Sequence, residues 1–142
     1  MKPLQRIVLI GLAALTALAV TATAMAVVGM SKPPVIKLKD KTFGDVLATP
    51  GHQALYYWTA EKKDFKVRCT GQCAKAWPPL IVKSAAAVPK KIAGIKGTFG
   101  TVKRPDGKIQ VTHNRLPIYT YAHEGPDQVL CNNVDGWFVV KV

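Results

Sequence analysis

The chain has 142 residues, with 20 Lys+Arg against 8 Asp+Glu and a formal net charge of +12. That length leaves room for one modest domain once its N-terminal segment is set aside. Serine occurs only at Ser31 and Ser84, neither inside a G-x-S-x-G elbow, so a serine hydrolase of that type is excluded. There is no H-E-x-x-H, no phosphate-binding glycine loop and no dinucleotide fingerprint, which removes the enzyme classes those motifs serve.

Met1–Arg6 carries Lys2 and Arg6, and Ile7–Met30 then runs 24 residues without a charge. The run has two readings. Ala24-Met25-Ala26 fits an A-x-A cleavage site, as in a secretory signal peptide. The same run, at ~1.5 Å per residue, is long enough to cross a ~30 Å hydrocarbon core as an uncleaved helical anchor. Both readings put the rest of the chain outside the cytoplasm, either anchored or released by cleavage after Ala24 or Ala26. The expected organisation is a leader or anchor over 1–30, a linker over 31–34 broken by Pro33-Pro34, and a β-rich domain over 35–142.

Val35–Lys39 reads as a strand. Gly44–Leu47, a turn at Thr49–His52, and Ala54–Thr59 read as a hairpin rich in β-formers. Glu61–Lys66 is a charged turn. Cys73–Trp77 is one helical turn, stopped by Pro78-Pro79 because proline disfavours helical geometry in the residue before it. Leu80–Val82 is a short apolar strand, and Lys83–Gly97 is a basic loop with little pattern. Phe99–Lys103, Lys108–Thr112 and Leu116–Tyr121 are separated by turns at Pro105-Asp106-Gly107 and His113-Asn114, and they make a three-strand meander. Gly136–Val142 closes the chain as a strand in which Trp137–Val140 is a buried run. The fold class is a single, mainly antiparallel β domain.

That domain is internally duplicated. Ala54-Leu55-Tyr56-Tyr57-Trp58-Thr59-Ala60-Glu61 is echoed 63 residues later by Pro117-Ile118-Tyr119-Thr120-Tyr121-Ala122-His123-Glu124. The same offset maps Gly44 onto Gly107, Val46 onto Ile109 and Thr49 onto Thr112. A copied phrase implies a copied structural unit, here two related hairpins.

Charge is placed unevenly. Residues 27–61 contribute +1, residues 62–108 contribute +10 and residues 109–142 contribute −1. The middle segment, with Lys62, Lys63, Lys66, Arg68, Lys90, Lys91, Lys96, Lys103 and Arg104, is therefore a candidate basic patch for anionic lipid or an acidic protein partner. Nucleic acid is not expected, because an exported domain seldom meets it and no basic–aromatic interleaving supports it.

The order of motifs is distinctive. Tyr56-x-Trp58 is followed by Cys69-x-Gly71-x-Cys73, Trp77-Pro78-Pro79, Asp106-Gly107, Tyr119-x-Tyr121 and Gly136-Trp137-Phe138-Val139-Val140. This order resembles the bacterial secreted-repeat family, lipoproteins with a Y-x-[FWY]-x-x-D motif, over nearly all of residues 44–142. The resemblance implies an exported or membrane-attached bacterial protein, and with a retained anchor the expected place is the inner membrane facing the periplasm. It implies no assigned reaction. The family's Asp is Glu61 in the first copy and Glu124 in the second, the lipid-attachment cysteine is absent, and Cys131 falls outside the pattern.

Three cysteines in an oxidising compartment suggest one disulfide and one spare thiol. Cys69–Cys73 is the expected pair, serving to fix the turn before Trp77. A redox or metal-binding role for the two is the sharper alternative, although C-x3-C is not the thioredoxin spacing. His52, His113 and His123 sit at turns without ligand spacing, so no metal site and no cofactor is expected. Tyr56 and Trp58 share one strand face, as do Tyr119 and Tyr121. Glu61 and Glu124 at the strand ends then serve either as acceptors for buried phenols or as a paired-carboxylate site. The first reading is preferred. The expected function is a non-catalytic binding or accessory module at the membrane, possible as a subunit of a larger membrane complex. The alternative is a periplasmic redox or metal protein using Cys69 and Cys73.

Overall fold

The computed structural model describes residues 32–142. The predicted leader or anchor over 1–30 lies outside the described residues. Among the described residues no helix is long and apolar enough to cross a membrane.

The elements run in the order β1 (Ile36–Asp40), β2 (Gly44–Ala48), β3 (Tyr56–Trp58), α1 (Gln72–Ala76), β4 (Ile81–Val82), β5 (Phe99–Lys103), β6 (Ile109–His113), β7 (Leu116–Pro117) and β8 (Trp137–Val139). Short 3-10 turns occur at Thr59–Glu61 and Ala85–Ala87. The mainly β, antiparallel fold class read from the sequence holds.

Two hairpins open the two repeats. β1 pairs antiparallel with β2, from Ile36 opposite Ala48 to Asp40 opposite Gly44. Its turn closes because Asp40 Oδ1 accepts the N–H groups of Thr42 and Phe43 at 2.7 and 2.8 Å, the local bond that makes Asp a turn former. β5 pairs antiparallel with β6, from Phe99 opposite His113 to Lys103 opposite Ile109. There Asp106 Oδ1 accepts the Lys108 N–H at 3.0 Å.

Beyond the hairpins the chain departs from local pairing. Ala54 still bridges Ala48, and the Leu55 N–H reaches the Leu47 carbonyl at 2.9 Å. The expected hairpin ends there. Tyr56 N–H goes to the Tyr119 carbonyl at 2.8 Å, and β3 pairs with β8, Tyr56 opposite Val139 and Trp58 opposite Trp137. Each backbone group has one main partner to give, so β3 joins the far end of the chain instead of folding back on β2. The third meander strand is cut short for the same reason. β7 pairs with β6 at Leu116 and Pro117, and the Ile118 N–H still reaches the Val111 carbonyl at 3.1 Å, after which Tyr119 turns to Tyr56 and to Pro79.

The second repeat repeats this exchange. Thr120 N–H bonds the Pro78 carbonyl at 2.8 Å and Ala122 N–H bonds the Ala76 carbonyl at 2.9 Å. The strand at Tyr119–Tyr121 is thus completed by Trp77–Pro79 of the first repeat, as β3 is completed by β8 of the second. Trp77 and Trp137 occupy matching places. The offset of 63 holds for the aromatic phrase and slips upstream. Leu47 bonds Val140 and Leu55 as Val111 bonds Leu80 and Ile118, which pairs Leu47 with Val111 at an offset of 64. The turn before Leu55 is one residue longer than the turn before Ile118, so the expected matches of Gly44 with Gly107 and Val46 with Ile109 are off by one.

Two apolar clusters flank this crossover. One gathers Val46, Ala54, Tyr56, Cys69, Trp77, Tyr119, Trp137 and Val139. The other holds Val35, Leu47, Leu55, Phe99, Val111, Ile118 and Val140. Alternation along β3 and its partner sends Tyr56 to the first and Leu55 to the second.

Candidate functional site

The crossover brings the two aromatic–acid phrases together. The 3-10 turn at Thr59–Glu61 carries the Glu61 carboxylate inward, and the turn after Tyr121 does the same for Glu124. Tyr56 Oη donates to Glu124 Oε2 at 2.6 Å, and Tyr119 Oη donates to Glu61 Oε1 at 2.8 Å. Each tyrosine therefore serves the carboxylate of the other repeat. All four side chains are buried. Glu61 Oε1 also accepts the N–H groups of Arg68 and Cys69 at 2.7 and 3.3 Å. Glu124 Oε2 accepts the Leu130 N–H at 3.1 Å.

Burial sets the proton affinities. It pushes the Tyr56 and Tyr119 phenols far up, reinforced at each by its carboxylate partner. It also raises the Glu124 carboxyl, against the pull of its bonds from Tyr56 and Leu130. Oε2 of Glu61 and Oε1 of Glu124 have no hydrogen-bond partner among the described residues. The two carboxylates are engaged as acceptors for phenols and backbone, which matches the scaffolding reading.

Between the repeats runs a column of rings. Trp58 lies parallel to Trp137 at 5.4 Å, Trp137 to Trp77 at 3.9 Å, and Tyr121 tilts on Trp77 at 4.7 Å. Tyr56 meets Trp77 edge-on and Tyr119 meets Trp137 edge-on. Edge-to-face and offset contacts suit the ring quadrupoles and add about 0.5–1.5 kcal/mol each beyond area burial. Trp58 Nε1 donates to the Asp135 carbonyl at 3.1 Å.

Cys69 and Cys73 form a disulfide, as expected. It spans the entry to α1, so it fixes the turn four residues before Trp77. Cys131 is a free, half-buried cysteine. Burial raises its thiol, Glu124 adds to the rise, and Tyr121 offsets part of it. Among the described residues no group of three or more His, Cys, Asp or Glu could hold a metal ion.

The basic residues of the middle segment differ in exposure. Lys62, Lys63, Lys66, Lys90, Lys91, Lys96 and Lys103 are exposed. Arg68 is engaged by Asp64 through Nη1 at 2.6 Å and Nη2 at 2.9 Å. Arg104 is a correction: it is 4% exposed. Its guanidinium donates to Gln110 Oε1 at 2.6 Å and to the Cys69 carbonyl at 2.8 Å. It ties β5 and β6 to the disulfide. A basic residue directly after a strand carries no sequence mark of such inward use, since Arg104 and exposed Lys103 are neighbours.

The histidines are likewise divided. His52 is exposed and bonds Asp127 at 2.9 Å, and His123 is exposed. His113 was expected at an exposed turn. It is buried at the end of β6, against Phe99, with Nε2 2.9 Å from the Lys96 carbonyl.

Neither a curated protein nor a solved structure matches the chain. A family model described as a secreted repeat of unknown function matches residues 100–141, which takes in β5 through β8 of the second repeat. The family's description as secreted agrees with export. Residues 100–141 are thus similar to the secreted-repeat family that the chain's motifs resemble.

Proposed function

We propose that this protein is an exported, non-catalytic binding module that works at a membrane surface as an accessory unit, through the loop joining β4 to β5. The observation that carries this reading is the state of that loop. Lys83, Lys90, Lys91 and Lys96 are all exposed, and no Asp or Glu occurs between Lys83 and Lys103. Among the described residues no salt bridge involves these four lysines. Ile92 and Ile95 pack on the core beneath them, so the loop presents its cations on a fixed base. Unpaired lysines attract an anionic lipid surface at about 1 kcal/mol each when close to it. The conspicuous carboxylates, Glu61 and Glu124, are spent on tyrosines, which supports a role without acid–base catalysis.

The test is lysine acetylation of the full chain reconstituted in nanodiscs with or without phosphatidylglycerol, read by mass spectrometry. Protection of Lys83, Lys90, Lys91 and Lys96 in the anionic discs alone, with Lys39 and Lys41 labelled equally in both, is expected. Equal labelling of the loop in both discs contradicts the reading.

A further inference from the structure

The rings between the repeats form one connected series. Trp58, Trp137, Trp77 and Tyr121 follow one another with centroids 5.4, 3.9 and 4.7 Å apart. Tyr119 joins it edge-on at Trp137 and Tyr56 edge-on at Trp77, at 5.1 and 5.3 Å. All three tryptophans of the chain and three of its four tyrosines are in this series. Phe138 and Phe99 stack outside it, on Tyr57 and His113. Tryptophan and tyrosine give up an electron to a strong oxidant, and phenylalanine does not. Every ring of the series is therefore oxidisable. Trp58 at one end is partly exposed, while Trp137, Trp77, Tyr119 and Tyr56 are buried.

The duplication keeps this property in both halves. Tyr56 is matched by Tyr119, Trp58 by Tyr121 and Trp77 by Trp137, whereas Tyr57, outside the series, is matched by Thr120. Packing alone does not require the two buried tyrosines. Phenylalanine fills the same space and spares the fold two buried carboxylates, which are costly to desolvate.

What tyrosine adds is a hydroxyl, and each of these two hydroxyls carries a base. Tyr56 Oη donates to Glu124 at 2.6 Å and Tyr119 Oη donates to Glu61 at 2.8 Å. Both distances are within the reach required of a proton acceptor. A phenol that has lost an electron is a strong acid, so a carboxylate so placed takes the proton as the electron leaves. Glu61 Oε2 and Glu124 Oε1 have no partner among the described residues, which leaves each carboxyl group an oxygen able to hold it. Trp58 is placed differently. Its Nε1–H is bonded to the Asp135 carbonyl at 3.1 Å, a base too weak to take the proton, so an oxidised Trp58 remains a cation and draws an electron from the next ring.

We infer that the ring series is a relay for one-electron oxidation, which passes an oxidising equivalent from a high-potential metal oxidant at Trp58 to the buried Tyr56 and Tyr119. The oxidant takes one electron from Trp58 and is reduced by one. The vacancy passes to Trp137 and Trp77 and is filled by Tyr119 or Tyr56. The phenol proton crosses one hydrogen bond, to Glu61 or to Glu124. In balance, one phenol and one carboxylate become a neutral tyrosyl radical and a carboxylic acid. This goes beyond the surface-binding reading and uses none of its lysines, so either can fail alone.

The experiment mixes the full chain in detergent with hexachloroiridate(IV), an anionic one-electron oxidant, at about pH 8, above the usual carboxyl range. Oxidant loss is followed by stopped flow and the radical by rapid-freeze electron paramagnetic resonance. A neutral tyrosyl radical is expected, and it is expected to vanish in Tyr56→Phe/Tyr119→Phe. Glu61→Gln and Glu124→Gln each keep an acceptor for the phenol but cannot take its proton, and each is expected to lose about half of the radical. Trp58→Phe is expected to slow radical formation roughly tenfold or more. Cooperative urea unfolding verifies that each variant is folded. If the double phenylalanine variant does not fold, Tyr56→Phe and Tyr119→Phe decide singly, each with about half of the radical. Three results overturn the relay: no tyrosyl radical, a radical undiminished by the phenylalanine or glutamine substitutions, or an unchanged rate in Trp58→Phe.

Discussion

Tyr56 and Tyr119 are each other's backbone partners. The Tyr56 N–H bonds the Tyr119 carbonyl at 2.8 Å, and the Tyr119 N–H returns the bond at 2.9 Å. They are the same residue of the two repeats, so a local twofold axis passes between them. Around it the duplicated parts fall into pairs: two phenol–carboxylate bonds, two stacked tryptophans and two exchanged strands. Each repeat lacks one strand, and the other repeat provides it.

Removing one phenol tests the crossed bonds. Tyr56→Phe leaves Glu124 with only the Leu130 N–H, whereas Tyr119→Phe leaves Glu61 with the Arg68 and Cys69 N–H groups. Each substitution is expected to cost about 1–3 kcal/mol, the range for a buried acceptor that loses its partner. Tyr56→Phe is expected to cost the more. Urea unfolding of the two variants gives the order directly.

Glu124 gives the domain a pH dependence of defined sign. Its folded pKa is raised by burial, so its contribution to stability is fully present below the unfolded value and is lost as pH rises through the folded one. Glu124→Gln removes that loss, and its stability is expected to fall less steeply than wild type as pH rises from about 4.5. Tyr56 and Tyr119 act in the same direction at the alkaline end. Their folded pKa values are raised, so stability is expected to drop above about pH 10, where unfolded tyrosine ionises. Denaturant unfolding as a function of pH measures both.

The disulfide closes a short loop, which the chain-entropy model values at about 2 kcal/mol. Cys69→Ala/Cys73→Ala is expected to lose about that much and to remain folded, because Arg104 still ties the Cys69 carbonyl to the β5–β6 hairpin. Thermal unfolding with and without reductant checks it. A wild-type midpoint unmoved by full reduction counts against the assignment.

Gly136 is required at its place. It has φ 81°, and an added Cβ would lie 2.6 Å from Thr59 Oγ1, which itself donates to the Gly136 carbonyl at 3.0 Å. Gly44 has a similar φ of 76° and open space around it. Gly44→Ala therefore carries only the left-handed strain, about 1–2 kcal/mol. Gly136→Ala adds a clash at the Trp58–Trp137 stack and is expected to cost distinctly more in the same unfolding assay.

Much of this was legible in the sequence. The turn at Asp106, the helical turn before Pro78, the Cys69–Cys73 pair and the shared face of Tyr56 and Trp58 all follow from local chemistry. The aromatic phrase revealed the duplication because its residues are buried and bonded alike in both copies. The strand exchange was not legible, since periodicity reports which face of a strand is apolar and not which distant strand it meets. Arg104 and His113 were misplaced for a related reason: a polar side chain goes inward when a partner such as Gln110 or the Lys96 carbonyl waits there, and those partners are set by the fold.

The exchange of strands is the central claim, and dividing the chain tests it most directly. Fragments 32–88 and 89–142 separate the repeats within the exposed loop, each cut off from the strand that completes it. Near-ultraviolet circular dichroism of the tryptophan column is recorded for each fragment alone and for the mixture. The account predicts no ordered aromatic signal from either fragment alone and recovery of the native signal on mixing. A native-like signal from one fragment alone contradicts it.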